Sequence, residues 1–498
     1  MHRDFLDCQG NPRYDVPVIA TADIHTRAGR SLWFVSGGQV LVALLSFASG
    51  VVLARRLSPG DFGLFAIATF VVVFVGMIAD LGLHAALIQR QTELTTHDLR
   101  AAFTVQQVAA TIAFALLWPL TSLLPTVYPA ASGDLVTLVH VMSADVFLLS
   151  WCRPSEALME RSLRYDRLVP IDVAVTTVYA VLAIILALSG VGVLSFGIAW
   201  VAGTATRLIL VARAAPWSVG FAWDTTVARS VLRIGVPLQV SRVVAQAQYW
   251  VTPTIVAATL GPAAAGLLQW AAGNGRKPLD ILEYLARVSL PHFSRLQHEA
   301  SEARETLHRY LTGFLLVSAL WLAMLAVAGT DVVRLIYTER WVPAVLPLVL
   351  FAAVGVFVSA RLIVTTALVG GGRTALIGRV AIGSAVATII ASVVLVRSLG
   401  MIGVPLGQLV GAAVALPFLV GGLGPNATRV FSNALKPTVL PVAVSVLTGF
   451  ATNWVPLDGP TRGITASLVM LVTFSATLWM TGPSWLRIVP MRRQGETP

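Results

Sequence analysis

Apolar residues run along this chain in blocks of about 20, separated by short polar stretches, from residue 32 to residue 481. A helix needs about 20 mostly apolar residues to cross a bilayer core. Fourteen blocks meet that length: 32–54, 62–84, 101–124, 135–152, 169–188, 193–214, 234–258, 263–286, 310–328, 343–366, 375–396, 400–423, 437–455 and 463–481. Only the eighth is visibly interrupted, by Arg276 and Lys277. The pattern predicts an all-α polytopic membrane protein of about 14 transmembrane helices.

Two of the breaks between blocks repeat one another. Leu57-Ser58-Pro59-Gly60-Asp61-Phe62-Gly63-Leu64 and Leu260-Gly261-Pro262-Ala263-Ala264-Ala265-Gly266-Leu267 both read Leu-x-Pro-x-x-x-Gly-Leu. Six blocks separate the helices they precede. Six is even, so both copies face the same way. A same-direction repeat predicts two six-helix lobes related by a pseudo-two-fold axis along the membrane normal, with helices 13 and 14 added. The expected division is a cytoplasmic tail (1–30), a first lobe (31–214), a cytoplasmic linker (215–233), a second lobe (234–423), and the last two helices with a short tail (424–498).

Composition changes the picture little but orients it. Of 498 residues 56% are hydrophobic and 12% charged, with a mean hydropathy of +0.79, about half the charge of a typical soluble domain. The net charge of +11 would suggest nucleic acid in a soluble protein. Here the cations sit between apolar blocks, so their placement reports topology instead. With a cytoplasmic N-terminus, 23 of the 35 Lys/Arg fall on the cytoplasmic side and six on the other, leaving six inside helices. Both termini are therefore expected in the cytoplasm. The first 30 residues lack the apolar core of a cleavable signal. Cys8 and Cys152 have no metal-ligand spacing. No phosphate-binding glycine motif or metallohydrolase motif occurs, so no metal, cofactor or nucleic acid is implied. The sequon at Asn426 falls on the cytoplasmic side, where glycosylation is irrelevant.

The residues around the first repeat carry a wider pattern. Leu53-Ala54-Arg55-Arg56-Leu57-Ser58-Pro59 leads to Asp61-Phe62-Gly63-Leu64; Asp80-Leu81-Gly82-Leu83 is followed by Ala85-Ala86-Leu87-Ile88-Gln89-Arg90. Then come Glu93-Leu94-Thr95, Leu99-Arg100-Ala101-Ala102-Phe103 and, later, Phe293-Ser294-Arg295-Leu296-Gln297. This resembles the Wzx-type oligosaccharide flippases, polysaccharide exporters of the superfamily that also holds multidrug antiporters and lipid II flippases. The resemblance covers about residues 28–425 and is strongest over 53–103. It implies alternating access in a bacterial inner membrane. The cargo implied is an undecaprenyl-diphosphate-linked oligosaccharide, moved to the periplasmic leaflet for O-antigen, capsule or exopolysaccharide synthesis. It also implies work beside the polymerase and chain-length or export proteins of that pathway. A multidrug antiporter, a lipid II flippase and a polysaccharide polymerase are the alternatives. No large external loop favours the polymerase, and intramembrane arginines disfavour a carrier of cationic drugs.

Charge inside a membrane is costly and marks a pathway or an internal pair. Arg242, Arg276 and Lys277 are the candidate cations for a diphosphate. Each has the competing reading of a helix-to-helix ion pair with Asp280, Glu283 or Asp145. Arg207 and Arg361 read as helix-end residues. If a proton or sodium ion drives transport, Asp145 and Asp80 are the candidate carriers, although Asp80 also reads as a cap at a broken helix. Asp172 reads as a surface residue.

Overall fold

The computed structural model describes residues 21–90, 94–129, 131, 133–162, 164–296, 299–424, 427–455 and 458–481. Residues 1–20 of the expected tail, with Cys8, and Glu93, Asn426 and the C-terminal tail lie outside them. The described residues form seventeen α-helices and no strand: α1 (Thr21–Arg56), α2 (Pro59–Asp80), α3 (Leu83–Gln89), α4 (Thr96–Leu120), α5 (Leu124–Val127), α6 (Gly133–Arg161), α7 (Tyr165–Leu188), α8 (Leu194–Ala214), α9 (Thr225–Leu260), α10 (Pro262–Gly275), α11 (Lys277–Arg295), α12 (Ala300–Ile336), α13 (Val345–Gly370), α14 (Thr374–Leu399), α15 (Gly403–Gly422), α16 (Ala427–Ala451) and α17 (Gly459–Thr481). Each of the fourteen apolar blocks falls mostly on helix, the second crossing the turn between α2 and α3 and the eighth divided between α10 and α11. Ten stretches among the described residues are long and apolar enough to span a membrane, the longest holding both α14 and α15. The chain is an all-α, multi-pass membrane protein.

Two compact units divide the chain, residues 1–266 and 267–498. In the first, α6 packs on α2, α4 and α8, α7 on α1 and α8, and α9 on α2, α3 and α4. Local chemistry fixes the helix starts. Ser58 Oγ accepts from the Asp61 N–H while the Asp61 carboxylate accepts from the Ser58 N–H, and Pro59 occupies the first turn. Thr95 and Asp98 form the same reciprocal cap on α4, each satisfying amide donors that the first turn leaves over. The segment 215–224 is not helical. It lies along α4, where Phe103 stacks on Phe221 and meets the edge of Trp217, and Arg100 donates to the Ser218 carbonyl at 2.9 Å. It ends at Asp224, which caps α9; hydrogen bonds from Thr226 and the Val227 and Thr226 amides hold its carboxyl down to about 2.

α2 stops at Asp80 because the next two residues are left-handed, Leu81 at φ 49° and Gly82 at φ 71°. Glycine is also required at 82 by proximity: a Cβ there would lie 2.0 Å from the Gly235 carbonyl oxygen of α9. At the other end of α2 the two repeat copies touch each other. A Cβ on Gly63 would lie 1.8 Å from the Pro262 carbonyl oxygen, and one on Gly266 would lie 1.8 Å from the Pro59 carbonyl oxygen.

In the second unit, α12 packs on α13, α16 and α17, and α13 on α11 and α15. The tightest pairing is the hairpin of α14 and α15. Gly403, Gly407 and Gly411 recur every fourth residue and face Leu395, Ser392 and Thr388 in descending order, so the helices run antiparallel. Small residues permit this approach where lipid supplies no hydrophobic drive. Arg462 forks onto Asp331 with bonds of 2.9 and 3.0 Å, fastening α17 to α12.

Candidate functional site

Among the described residues, each unit gathers charge among its helices. In the first unit it is a ladder of alternating sign across four helices. Arg153 and Glu156 are one turn apart on α6 and pair at 3.1 Å. Arg153 also lies 3.4 Å from Asp80 at the end of α2. The other oxygen of Glu156 accepts from Arg207 of α8, whose second nitrogen donates to Asp172 of α7. The Glu156 side chain is 4% exposed and that of Asp80 8%. Beside the ladder His84 of α3 stands 3.4 Å from Glu160. Further along α6, buried Asp145 accepts from Thr204 of α8 at 2.5 Å.

Sequence reasoning missed this assembly. The apolar block ends at Cys152, which suggested that the fourth span ends there, yet α6 continues to Arg161. Glu156 stays buried, and Arg153 half-buried, because the two pair with each other. Arg207 is no simple helix-end residue, and Asp172 is half-buried against it rather than on the surface. The available signal was the i, i+3 pairing of opposite charges just beyond an apolar run. Three carboxylates face two guanidiniums, so the ladder carries one excess negative charge when all are ionised. That arrangement is suited to holding a cation or proton, not an anion.

The second unit contains the break in the eighth block. Pro278 lacks a donor and its ring opposes the carbonyl of Asn274, four residues earlier; α10 ends at Gly275 and α11 begins at Lys277. The break is anchored on aromatic residues. The Trp321 indole donates to the Gly275 carbonyl at 3.0 Å, and the Tyr337 hydroxyl bonds Asn274 at 3.2 Å. Trp270 packs on Tyr337 and Trp341, with ring centroids 4.7 and 5.1 Å away. Gly275 has no room for a side chain, since a Cβ would lie 2.7 Å from the Leu348 carbonyl oxygen. Arg276 is thereby held half-buried with its guanidinium carbon 5.5 Å from the centroid of Phe351. Lys277 follows as the first residue of α11, also half-buried. Two cations thus sit at a helix amino end, where unpaired amides and the dipole already favour negative charge.

The candidates are distributed accordingly. Asp80 belongs to the ladder, and Asp145 is buried on α6, the helix that carries Arg153 and Glu156. Arg276 and Lys277 come together at the break. Arg242 is exposed on α9 in the first unit. Among the described residues no group of three or more His, Cys, Asp or Glu is arranged to hold a metal ion.

The apolar helices, one of them broken at a pair of cations, are those of a multi-pass membrane protein. Residues 52–346 match the family described as polysaccharide biosynthesis protein, and the chain belongs to that family, as the phrases over 53–103 led us to expect. It is 23% identical over 308 residues to a membrane protein in the cps region of Klebsiella pneumoniae, covering 60% of this chain and 62% of the relative. It is 20% identical over 319 residues to the lipopolysaccharide biosynthesis protein WzxC of Escherichia coli (strain K12), covering 64% of each. The chain therefore spans a little under two thirds of the length of these relatives. Its fold is similar to that of the lipid II flippase MurJ in an inward closed conformation, with a TM-score of 0.76 at 14% identity, covering 91% of this chain and 99% of that one.

Proposed function

We propose that this protein is a bacterial inner-membrane flippase. Its cargo is an undecaprenyl-diphosphate-linked oligosaccharide repeat unit, delivered to the periplasmic leaflet for surface polysaccharide synthesis. The observation that carries the reading is the break at Arg276. Two cations, an aromatic floor and the amino end of α11 converge in the middle of a span, where a doubly charged headgroup would otherwise meet only hydrocarbon. Membership of the polysaccharide biosynthesis family and the names of its relatives support the choice of cargo. In this reading the repeat copies belong to two six-helix lobes, 31–214 and 234–423, that alternate access around the cargo, and both termini are cytoplasmic. Arg276 and Lys277 hold the diphosphate, with Arg242 an accessory cation. The acidic excess of the ladder, with Asp80 within it and Asp145 on α6 beside Arg153 and Glu156 in the chain, takes up the proton or sodium ion that drives the cycle. Polymerase and chain-length proteins receive the product.

Clean deletion is expected to leave the lipid-linked repeat unit made but stranded on the inner leaflet, with surface polysaccharide lost. Normal polysaccharide in a deletion strain without a paralogue would sink the proposal. In the complemented strain, Arg276→Ala is expected to abolish surface polysaccharide at normal protein level, while Arg276→Lys retains part of it. A stably inserted, fully active Arg276→Ala protein would remove the break from the binding site. Complementation of a strain lacking its lipid II flippase, without rescue of polysaccharide, would reassign the cargo.

A further inference from the structure

Away from the break, the second unit encloses a cavity of about 440 Å³. It lies where α11 ends and α12, α14 and α16 begin. Its walls are apolar or small, including Phe293, Leu307, Leu368 and Val430, and among the described residues its charged lining residues are Arg304 and Arg373. Both arginines are exposed at the mouth while Phe293, Leu307 and Leu368 are buried. Arg373 donates one N–H to the Gly422 carbonyl, which fixes the guanidinium on the rim. No carboxylate pairs with Arg373 among the described residues, and Glu305 on the adjacent helix is engaged by Arg309 at 3.0 Å. The volume lies in the range of small-molecule pockets. An apolar cleft with two guanidiniums at its rim, among membrane-spanning helices, matches an amphiphile with an anionic head. Basic pockets between transmembrane helices at the cytoplasmic face select such lipids.

We propose that this cavity binds an anionic phospholipid of the inner leaflet, its phosphate on Arg304 and Arg373 and an acyl chain across Leu307, Leu368 and Val430. The sidedness rests on the proposed topology, which puts the ends of α11, α12, α14 and α16 at the cytoplasmic face. The site is separate in sequence from the break at Arg276, and it opens at a helix-end rim.

The test is native mass spectrometry of the full-length protein in detergent, titrated with phosphatidylglycerol, phosphatidylcholine or undecaprenyl diphosphate. Wild type is expected to retain phosphatidylglycerol over phosphatidylcholine, and each of Arg304→Gln and Arg373→Gln to weaken that retention roughly fivefold, the worth of one cation near an anionic surface. Should the arginine variants not fold, Ala303→Trp fills the cleft with both cations kept, and it should also expel the lipid. Equal retention of phosphatidylglycerol by wild type and variants would overturn the proposal. So would loss of undecaprenyl diphosphate alone, which would make the cavity a cargo site. Lipid retention does not depend on transport, so intact lipid binding in a protein that fails to restore polysaccharide would sink the flippase reading and leave this one standing.

Discussion

Arg207 illustrates how one side chain can hold a membrane protein together. It joins Glu156 and Asp172 on two other helices, and removing it leaves buried Glu156 with one partner fewer and half-buried Asp172 without its arginine. Breaking such a pair from one side costs about 3–5 kcal/mol. Arg207→Met is therefore expected to lower the melting temperature in detergent sharply, as read by fluorescence-detected size exclusion. Adding Asp172→Asn should recover part of the loss, because one unpaired charge goes with it. An Arg207→Met protein as stable as wild type would show that the ladder contributes no stability. Arg276 differs in kind. Its side chain lies over Phe351, and the break itself is anchored through Asn274 and Gly275. Its replacement should therefore affect transport far more than folding.

Among the elements, α14 and α15 make the clearest case for sequence dictating geometry. A Cβ on Gly407 would lie 2.2 Å from Ser392 Oγ and 2.6 Å from the Ser392 backbone nitrogen. Backbone cannot move aside as a flexible side chain can, so Gly407→Leu should force the hairpin apart and reduce the yield of monodisperse protein several-fold. The equivalent change at Gly421, where a Cβ meets nothing within 4 Å, should be tolerated. The helices themselves were legible from the chain, since a block of apolar residues long enough to span lipid has few other structures open to it. The ladder was much less so. Arg153 and Glu156 stand just past the apolar block of α6, where charges ordinarily meet water, and only the packing of α2, α7 and α8 shows that Glu156 is buried and Arg153 half-buried. The break at Arg276 lay between these cases. Pro278 made the interruption visible, but nothing along the chain placed Phe351 or Trp321 beside it. Arg242, a cation well inside an apolar block, is exposed on α9.

At the level of the whole molecule, the number of crossings and the distribution of arginines make one joint prediction. Reporter fusions after residue 92, in the predicted inner loop between α3 and α4, and after residue 131, in the next loop, should report opposite sides, with residue 92 cytoplasmic. Fusions reporting the same side would remove α4 as a span and invert everything that follows. The reciprocal meeting of Pro59 and Gly63 with Pro262 and Gly266 carries a different implication. Each copy sets its proline carbonyl against the glycine of the other copy. Such a contact is isologous, the kind that normally forms on the axis of a two-fold homodimer. A half-length ancestor could have paired with itself through this one segment before its gene was duplicated and joined. The two glycines are then one constraint written twice. The second copy could exchange Asp61 and its neighbours for alanines, but neither copy could gain a side chain at the glycine without evicting the other's backbone.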